Sequence, residues 1–271
     1  MNQNFLVNNR LNYISLKFYK FMKAIILAAG IGSRLGELTK ILPKPLIDVI
    51  GKSIIERQIE VFRKAGINDI ILVIGPFAEK FLFHNVKYIN GKKTFSHNIL
   101  YSLIEAKSEM TDDVIISYGD IIFEDSIIQA ILNSKNEIGL AVDLKWKEMY
   151  QNKPKNLVDK VCNVFIENNK IIKIGYKENL GESEGKIIGE FIGLAKFSKK
   201  AIDNFLEIYL ELEKSHNGKF HESPSIKEGI ITDMCQELID RNYIINPIFT
   251  DGKWCEIDTI DDLKNAKRLF Q

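Results

Sequence analysis

The stretch KAIILAAG (23–30) limits the fold more than any other part of this sequence. Its apolar residues run on without alternation, which is the pattern of a strand buried on both faces of a parallel sheet. A helix at 53–66, with a serine N-cap and a closing glycine, and a second buried strand, DIILVIG (69–75), complete a βαβ unit. The start of the pattern therefore predicts an α/β fold built on a parallel sheet.

The same alternation of elements continues to about residue 144 and then changes. We expect helices at 96–110 and 127–134, with strands at 113–120 and 137–144. Beyond Lys145 the sequence predicts a hairpin at 163–175 that turns at Asn168-Asn169. Further elements are expected in this order: a strand at 190–198, helices at 199–214 and 224–242, strands at 243–250 and 254–259, and a helix at 260–270. We therefore predict a doubly wound, mostly parallel α/β sheet with a mixed-strand second half.

Composition narrows the class of protein. The 37 Lys and Arg residues almost balance the 36 Asp and Glu residues, for a net charge of +1, and this balance disfavours nucleic acid as the main partner. The cysteines, Cys162, Cys235 and Cys255, lack CxxC spacing and fit a reducing cytoplasm better than a disulfide framework or a zinc site. No apolar run approaches the ~20 residues of a transmembrane helix. We expect a cytoplasmic protein that binds neither nucleic acid nor membrane.

Residues 1–21 stand apart from this pattern. Their apolar residues are interrupted by Asn, Arg and Lys, so they lack the continuous apolar core of a signal peptide. The segment MKAIILAAG, which begins at Met22, would itself serve as a natural start. We expect residues 1–21 to be an extension outside the main fold, with packing as an extra strand or helix as the alternative, and residues 22–271 to form one domain.

A glycine-rich turn follows the first strand, within LAAGIGSRLGELTKILPKPL (27–46). Backbone N–H groups free of side chains suit a phosphate chain. The dinucleotide fingerprint GxGxxG fails because Leu35 holds its third glycine position, and no Walker-type GK[ST] tripeptide follows. What remains is LAAGxGxRL followed by PKP, in which Arg34 and Lys44 would flank a triphosphate. The alternative is a structural turn with two solvated cations.

This string resembles the signature of the nucleotidyltransferases that activate sugar-1-phosphates and related small phosphorylated compounds, and the resemblance extends from Met22 to the C-terminus. It implies the Rossmann-like, GT-A-like nucleotidyltransferase fold for residues 22–271. It also implies that an acceptor phosphate or phosphonate oxygen attacks the α-phosphate of an NTP and expels pyrophosphate, with Arg34 and Lys44 as catalytic cations. The implied nucleotide-binding residues are Leu27, Ala28, Ala29, Gly30, Gly32, Ser33, Arg34, Lys44 and Gly119.

Two acids far apart in the sequence are candidate ligands of Mg²⁺. Asp120 follows a buried strand in SYGD, and Asp258 lies in WCEIDT. Carboxylate oxygens suit a divalent cation of this kind, but either acid could instead cap a helix, as could Thr259. The resemblance implies that Asp120 and Asp258 hold Mg²⁺ together.

The second half of the sequence resembles a narrower group, the cytidylyltransferases that act on phosphocholine, aminoethylphosphonate and related compounds such as phosphorylated glutamine. The matching segments are HNILYSL, YGD, VDLKWKEMY, GEFIGLAKFS, ITDMCQELID and WCEIDTIDDL. By this resemblance Asn98 and Ser102 touch the cytidine of CTP, with helix packing as the alternative. UTP or dTTP with a sugar-1-phosphate remains open, as does a non-catalytic nucleotide-sensing subunit.

The expected acceptor side draws on three segments. Asp143, Trp146 and Tyr150 resemble the D-x-x-W-x-x-x-Y segment of that group, and the four-residue spacing places both rings on one helical face, unless they are core residues. Lys177 is implied to contact the acceptor phosphate as a third catalytic cation, and Glu190 to bind a cationic group; an exposed turn lysine and an edge-strand charge are the alternatives. Since an aromatic face beside an acid can hold an ammonium, we expect an amine-bearing acceptor.

One segment departs from the pattern of the phosphonate-type enzymes. The chain reads QNKPKNLVDKV where their pattern has Gly-Arg, His-Pro and Glu-Ala-Glu, so the identity of the acceptor stays open. The four histidines show no ligand spacing, which favours metal-assisted electrostatics without a protein nucleophile. We expect CTP, a small phosphorylated acceptor and Mg²⁺ as partners, a homodimer as a possible assembly, and a role in decorating a surface polysaccharide or capsule.

Overall fold

The computed structural model describes residues 22–30, 32–91, 99–150, 158, 161–176 and 186–271. The extension predicted at residues 1–21 lies outside these residues. Within them, no helix combines the length and the hydrophobicity that crossing a membrane requires.

The strands and helices that the sequence pattern predicts are present in the predicted order, together with a few short elements that it does not predict. The strands are β1 (Met22–Ala28), β2 (Asp69–Ile74), β3 (Lys87–Asn90), β4 (Asp113–Tyr118), β5 (Ile121–Phe123), β6 (Ile138–Asp143), β7 (Cys162–Glu167), β8 (Lys170–Tyr176), β9 (Ile187–Phe197), β10 (Asn246–Phe249) and β11 (Trp254–Glu256). The helices are α1 (Ile54–Lys64), α2 (Ile99–Glu105), α3 (Asp125–Asn133), α4 (Trp146–Met149), α5 (Lys199–Ser215), α6 (Ile231–Asp240) and α7 (Ile260–Leu269). Short 3₁₀ turns cover Ser33–Thr39, Lys44–Leu46, Ala78–Lys80, Lys107–Glu109 and Ile226–Glu228.

The main sheet is parallel in its first half and mixed in its second. Its strands lie in the order β10-β6-β9-β4-β1-β2-β3, and β4, β1, β2 and β3 are all parallel. Strand β9 is antiparallel to both of its neighbours, β4 and β6, and the β7–β8 hairpin joins the sheet through β9. The predicted fold class, a mostly parallel α/β sheet with a mixed second half, is confirmed.

Helices cover both faces of the sheet, which explains why the first strand is apolar throughout. Ile25 and Leu27 of β1 belong to a core cluster beneath α2, α5 and α6, whereas Ala24, Ile26 and Ala28 belong to the opposite cluster, beneath α1 and α3. A strand with a helix layer on each side has no face that water reaches, so no position in it favours a polar side chain.

The strand order places a crevice between the carboxyl ends of β1 and β4. The chain leaves β1 towards β2 and β3 and then returns to the other side of β1 with β4, and ligands of open α/β sheets bind at such a switch point. The two strand ends meet closely there, since Gly119 N–H donates to Leu27 O at 3.0 Å. A Cβ on Gly119 would lie 2.5 Å from that oxygen, so the contact requires glycine.

A second, two-stranded sheet brings the C-terminal part of the chain to this crevice. Strand β11 pairs antiparallel with β5, which begins directly after Asp120. Beneath it, a third core cluster joins Leu35 and Ile47 of the glycine-loop region to Ile122, Ile257 and Leu263. The loop after β1, the turn after β4 and the segment after β11 therefore rest on one apolar base.

Some element boundaries differ from the sequence prediction. The Asn168-Asn169 turn is confirmed, with both residues at positive φ (50° and 59°). The strand expected at 113–120 ends at Tyr118, and the helix expected at 224–242 begins only at Ile231. Strands β3 and β5 were not predicted, because segments of three or four residues are too short to show a period.

Candidate active site

Lys44 is the centre of the site. Its 3₁₀ turn follows Pro43, and its side chain runs inward, leaving the residue 5% exposed. Its Nζ donates to Asp120 Oδ2 at 2.9 Å and to Asp258 Oδ1. Burial by itself lowers the pKa of Lys44, but the carboxylates of Asp120, Asp258 and Glu256 more than offset this and hold the pKa above its ordinary value. Lys44 is therefore a buried permanent cation between acids.

The glycine loop makes room for this lysine. Gly32 has φ 73°, in the left-handed region, and a Cβ there would lie 2.6 Å from Lys44 Cβ. Glycine is thus required for its backbone conformation and for the approach of the lysine stem. Two residues on, Arg34 Nη1 contacts Asp258 Oδ2 at 2.7 Å, with the arginine side chain 58% exposed. Arg34 can therefore leave this ion pair to meet an anion in the crevice.

Glu256 is a third acid of the site that the sequence analysis missed. Asp120, Glu256 and Asp258 can each offer a carboxylate oxygen such that these atoms all lie within 4.8 Å of one another. Desolvation, followed by the charges of Asp120 and Asp258, raises the pKa of Glu256 to about 8. A signal was present in the sequence, because Glu256 and Asp258 are two residues apart in an extended segment and so point to the same side.

The structure removes the helix-cap alternative for both predicted metal ligands. Thr259 caps α7, with its Oγ1 accepting from Asp262 N–H at 3.2 Å, so Asp258 is not the cap. Helix α3 has Glu124 at its N-cap position, so Asp120 is not a cap either. Instead, Asp120 Oδ1 is buried and has no hydrogen-bond partner within the described part of the chain.

The three acids fit a divalent cation. Carboxylate oxygens are the ligands that Mg²⁺ prefers in proteins. The buried Asp120 Oδ1 atom has no hydrogen-bond partner within the described residues, and the charges of Asp120 and Asp258 add to desolvation in raising the pKa of Glu256. Asp120, Glu256 and Asp258 are thus the residues that would hold such an ion.

A cavity of about 260 Å³ opens beside this cluster. Its lining includes Arg34, Glu256 and Asp258 together with Tyr150 and Glu190. The Tyr150 hydroxyl donates to Glu190 Oε1 at 2.7 Å, and Glu190 is buried. Burial and the Glu190 charge raise the pKa of Tyr150 well above its ordinary value, so this hydroxyl stays protonated. The predicted acidic and aromatic acceptor residues thus meet at Tyr150 and Glu190.

Trp146 and Asp143 do not take the positions predicted for acceptor contacts. Trp146 is 2% exposed and packs edge-on against Tyr150, with 6.2 Å between ring centroids, and it is not among the residues that line the cavity. The core-packing alternative describes it better. Asp143 accepts hydrogen bonds from the Lys145 backbone N–H at 2.7 Å and from the Trp254 indole N–H at 2.9 Å. Its carboxylate therefore fastens β11, the strand that carries Glu256, to the end of β6.

The other predicted residues lie around the crevice or outside the described part. Leu27 and Ala28 are buried at the end of β1, Ala29 is half-buried and Gly30 is exposed. Ser102 is buried on α2, in agreement with helix packing. Asn98, Lys177 and the side chain of Ser33 lie outside what the structure describes.

Comparison with known proteins finds nucleotidyltransferases, the class of enzyme that the sequence resemblance implies. The family described as MobA-like NTP transferase domain matches residues 24–152. The chain is 32% identical to the CTP:phosphoglutamine cytidylyltransferase of Campylobacter jejuni over 90% of this chain and 98% of that protein. It is 40% identical to the choline-phosphate cytidylyltransferase of Streptococcus pneumoniae over 38% of this chain and 47% of that protein.

A solved structure supports the fold independently. The CTP:phosphocholine cytidylyltransferase of Streptococcus pneumoniae superposes with a TM-score of 0.70 at 21% identity, over 93% of this chain and all of that chain. The same class of protein is indicated by three observations: the crevice at the switch point, the cluster of cations and acids beside it, and the likeness to a relative over nearly its whole length. This chain belongs to the nucleotidyltransferases, in the group of the bacterial cytidylyltransferases.

Proposed function

We propose that this chain is a Mg²⁺-dependent cytidylyltransferase. It would transfer CMP from CTP to a small phosphorylated or phosphonate acceptor that carries an amino or ammonium group, and release pyrophosphate. The observation that carries the proposal is the cluster of Lys44, Arg34 and three acids at the switch point, opening into a cavity with Tyr150 and Glu190. The likeness to the phosphoglutamine enzyme over nearly its whole length supports CTP as the nucleotide.

In the proposed reaction, an acceptor phosphate oxygen forms a bond to the α-phosphorus of CTP as the bond from that phosphorus to the bridging oxygen of pyrophosphate breaks. Lys44 neutralises the charge that develops on the α-phosphate, since it is held rigidly and buried beside the crevice. Arg34, being mobile enough to leave Asp258, binds the β- and γ-phosphates together with the backbone N–H groups of the glycine loop.

Asp120, Glu256 and Asp258 would hold the metal ion. The ion, when bound, supplies positive charge that polarises the phosphoryl oxygens and orients the reacting groups. The protein positions these acids from two different parts of the chain, with Ile257 N–H donating to Asp120 O at 2.9 Å between them. That backbone bond fixes the turn after β4 against the segment after β11.

Glu190 and Tyr150 carry the proposed preference for an amine-bearing acceptor. Glu190 is a buried carboxylate on β9 that faces the same cavity as the metal-site acids. A buried carboxylate favours a cationic partner. The Tyr150 hydroxyl holds the Glu190 carboxylate in place, and the Tyr150 ring can contact the cation of the acceptor. The proposed product is an activated precursor for decorating a surface polysaccharide or capsule, made in the cytoplasm by a homodimer.

A pyrophosphate-release assay tests the proposal. CTP, UTP, dTTP, ATP and GTP are each combined with phosphoglutamine, phosphocholine, aminoethylphosphonate and glucose-1-phosphate, with Mg²⁺ or with EDTA. Ethylphosphonate is the matched control for aminoethylphosphonate, since it lacks only the amine. We expect turnover with CTP, an amine-bearing acceptor and Mg²⁺.

Each other outcome of that panel contradicts a different part of the proposal. A clear preference for UTP or dTTP would overturn the base assignment and leave the chemistry intact. Equal use of acceptors with and without the amine would overturn the role of Glu190. The absence of pyrophosphate release with every pair of nucleotide and acceptor would favour a nucleotide-binding protein without catalytic activity.

A further inference from the structure

The side chain of Gln58 holds the turn that carries Asp120. Gln58 lies on α1, where its neighbours Ile54, Ile55 and Ile59 are core residues, and it is 1% exposed. Its Nε2 donates to Tyr118 O at 2.8 Å and to Ile121 O at 2.7 Å. These carbonyls are the last of β4 and the first of β5, so one amide group spans both ends of the Gly119-Asp120 turn.

A second buried group fixes the amide itself. Ser117 is fully buried on β4, and its hydroxyl donates to Gln58 Oε1 at 2.8 Å. This bond occupies the acceptor of Gln58 and leaves both N–H donors for the two backbone carbonyls. An amide with three partners inside an apolar core has one low-energy orientation, because rotation would leave buried polar groups unpaired.

The turn between those carbonyls is held by two backbone bonds as well. Gly119 N–H donates to Leu27 O on β1 at 3.0 Å, and Asp120 O accepts from Ile257 N–H at 2.9 Å. Three separate elements, α1, β1 and the segment after β11, therefore determine where the backbone of Asp120 lies. Of these, α1 contributes through a side chain, and a side chain can be changed without altering the main chain.

We propose that Gln58 is a positioning residue of this enzyme, which acts through Asp120 and sets the geometry of the carboxylate cluster formed by Asp120, Glu256 and Asp258. Gln58 is not among the residues that line the cavity, and its side-chain hydrogen bonds go to Ser117, Tyr118 and Ile121. This inference rests on the proposed metal-dependent function. Groups that orient metal ligands commonly change metal affinity or activity by about 10- to 100-fold when they are replaced.

The test is Gln58→Met, which keeps the length of the side chain and removes its three hydrogen bonds. Binding of Mn²⁺ to the purified full-length chain is measured by electron paramagnetic resonance without nucleotide, together with kcat and the KM values for CTP and acceptor. We expect the Mn²⁺ Kd to rise and kcat to fall, each by about 10- to 100-fold, with both KM values nearly unchanged. Ser117→Ala, which removes the hydroxyl bond to the amide oxygen and keeps the two amide bonds to the backbone carbonyls, should shift the same two quantities in the same direction by less.

The matched control is Gln236→Met on α6. Gln236 Oε1 accepts from the Ile174 backbone N–H at 2.9 Å, so the same substitution removes a side chain-to-backbone bond to β8, which is not part of the Asp120 turn. We expect wild-type Mn²⁺ affinity in this control.

Wild-type Mn²⁺ affinity and kcat in Gln58→Met, with only a lower melting temperature, would overturn the inference. If that variant does not fold, wild-type Mn²⁺ affinity in folded Ser117→Ala overturns it instead. A wild-type chain that binds no Mn²⁺ would contradict the proposed metal dependence itself and so remove the basis of the inference, a failure distinct from a variant that behaves like wild type.

Discussion

Replacing Lys44 with methionine tests whether the buried lysine and a metal ion neutralise the same acids. The change keeps most of the side-chain stem and removes the charge that Asp120 and Asp258 share. Removing one partner of a fully buried ion pair costs about 3–5 kcal/mol. The side chains of Asp120 and Asp258 are 28% and 19% exposed, and Arg34 still contacts Asp258, so we expect a loss of about 2–3 kcal/mol. For a chain of this size that corresponds to a melting temperature lower by about 4–12 °C.

The assay is thermal unfolding of wild type and Lys44→Met in EDTA and in a series of Mg²⁺ concentrations. Since the variant leaves its carboxylates without their lysine, Mg²⁺ should raise its melting temperature more than that of wild type. Turnover at saturating Mg²⁺ should still fall by about 100-fold or more, because the α-phosphate loses its fixed cation.

Lys196→Met is the matched control for this experiment. Lys196 is also a buried lysine, and burial lowers its pKa, but its Nζ donates to Ser134 O and not to the acid cluster. Its response to Mg²⁺ should equal that of wild type. If Mg²⁺ shifts Lys44→Met and wild type equally, or if Lys44→Met is as stable as wild type in EDTA, the idea of a shared neutralising role is wrong.

Three further substitutions separate the metal, acceptor and core roles. Asp120→Asn should reduce turnover by about 100-fold or more at a nearly unchanged melting temperature; near-normal turnover would exclude it as a metal ligand. Tyr150→Phe removes the hydrogen bond to Glu190 and should raise the acceptor KM by about 10-fold while the KM for CTP stays constant; equal changes in both would contradict an acceptor role. Trp146→Ala should lower the free energy of unfolding by about 3–5 kcal/mol, since the ring is buried. A selective rise in the acceptor KM without loss of stability would restore the direct contact predicted from the sequence.

The sheet could be predicted because its strands are buried on both faces. A continuous apolar run that is followed by a capped helix is typical of a βαβ unit, and Ser53 caps α1 as predicted, with reciprocal bonds to Glu56 in addition. The short strands β3 and β5 carry too few residues for a period. The antiparallel insertion of β9 between β4 and β6 depends on long-range packing, which no local pattern encodes.

The site was predicted only in part, because its members meet through tertiary contacts. The resemblance paired Asp120 with Asp258, and in the structure both carboxylates accept hydrogen bonds from Lys44 Nζ. Asp143 was assigned to the acceptor because it resembles the first residue of the D-x-x-W-x-x-x-Y segment of the cytidylyltransferases. One of its two hydrogen-bond donors in the structure, the Trp254 indole, is 111 positions away in the chain.

Gln58 is another residue whose role depends on tertiary contacts that the sequence does not show. In the sequence it is a polar residue that follows Glu56 and Arg57 in a helix, which is ordinary for an amphipathic segment. Its partners lie 59 to 63 positions further along the chain.

The pairing of β5 with β11 has a consequence for the order in which the site is assembled during synthesis. Lys44 meets Asp258 across 214 positions of chain, whereas the glycine loop, Lys44 and Asp120 all belong to the first half. A ribosome-bound chain that has exposed only its first half contains the glycine loop, Lys44 and one acid of the cluster. Glu256 and Asp258 arrive with β11, after every strand of the main sheet. Nascent chains can thus form the crevice early, but they gain the complete carboxylate cluster only after β11 and Asp258 have been synthesised.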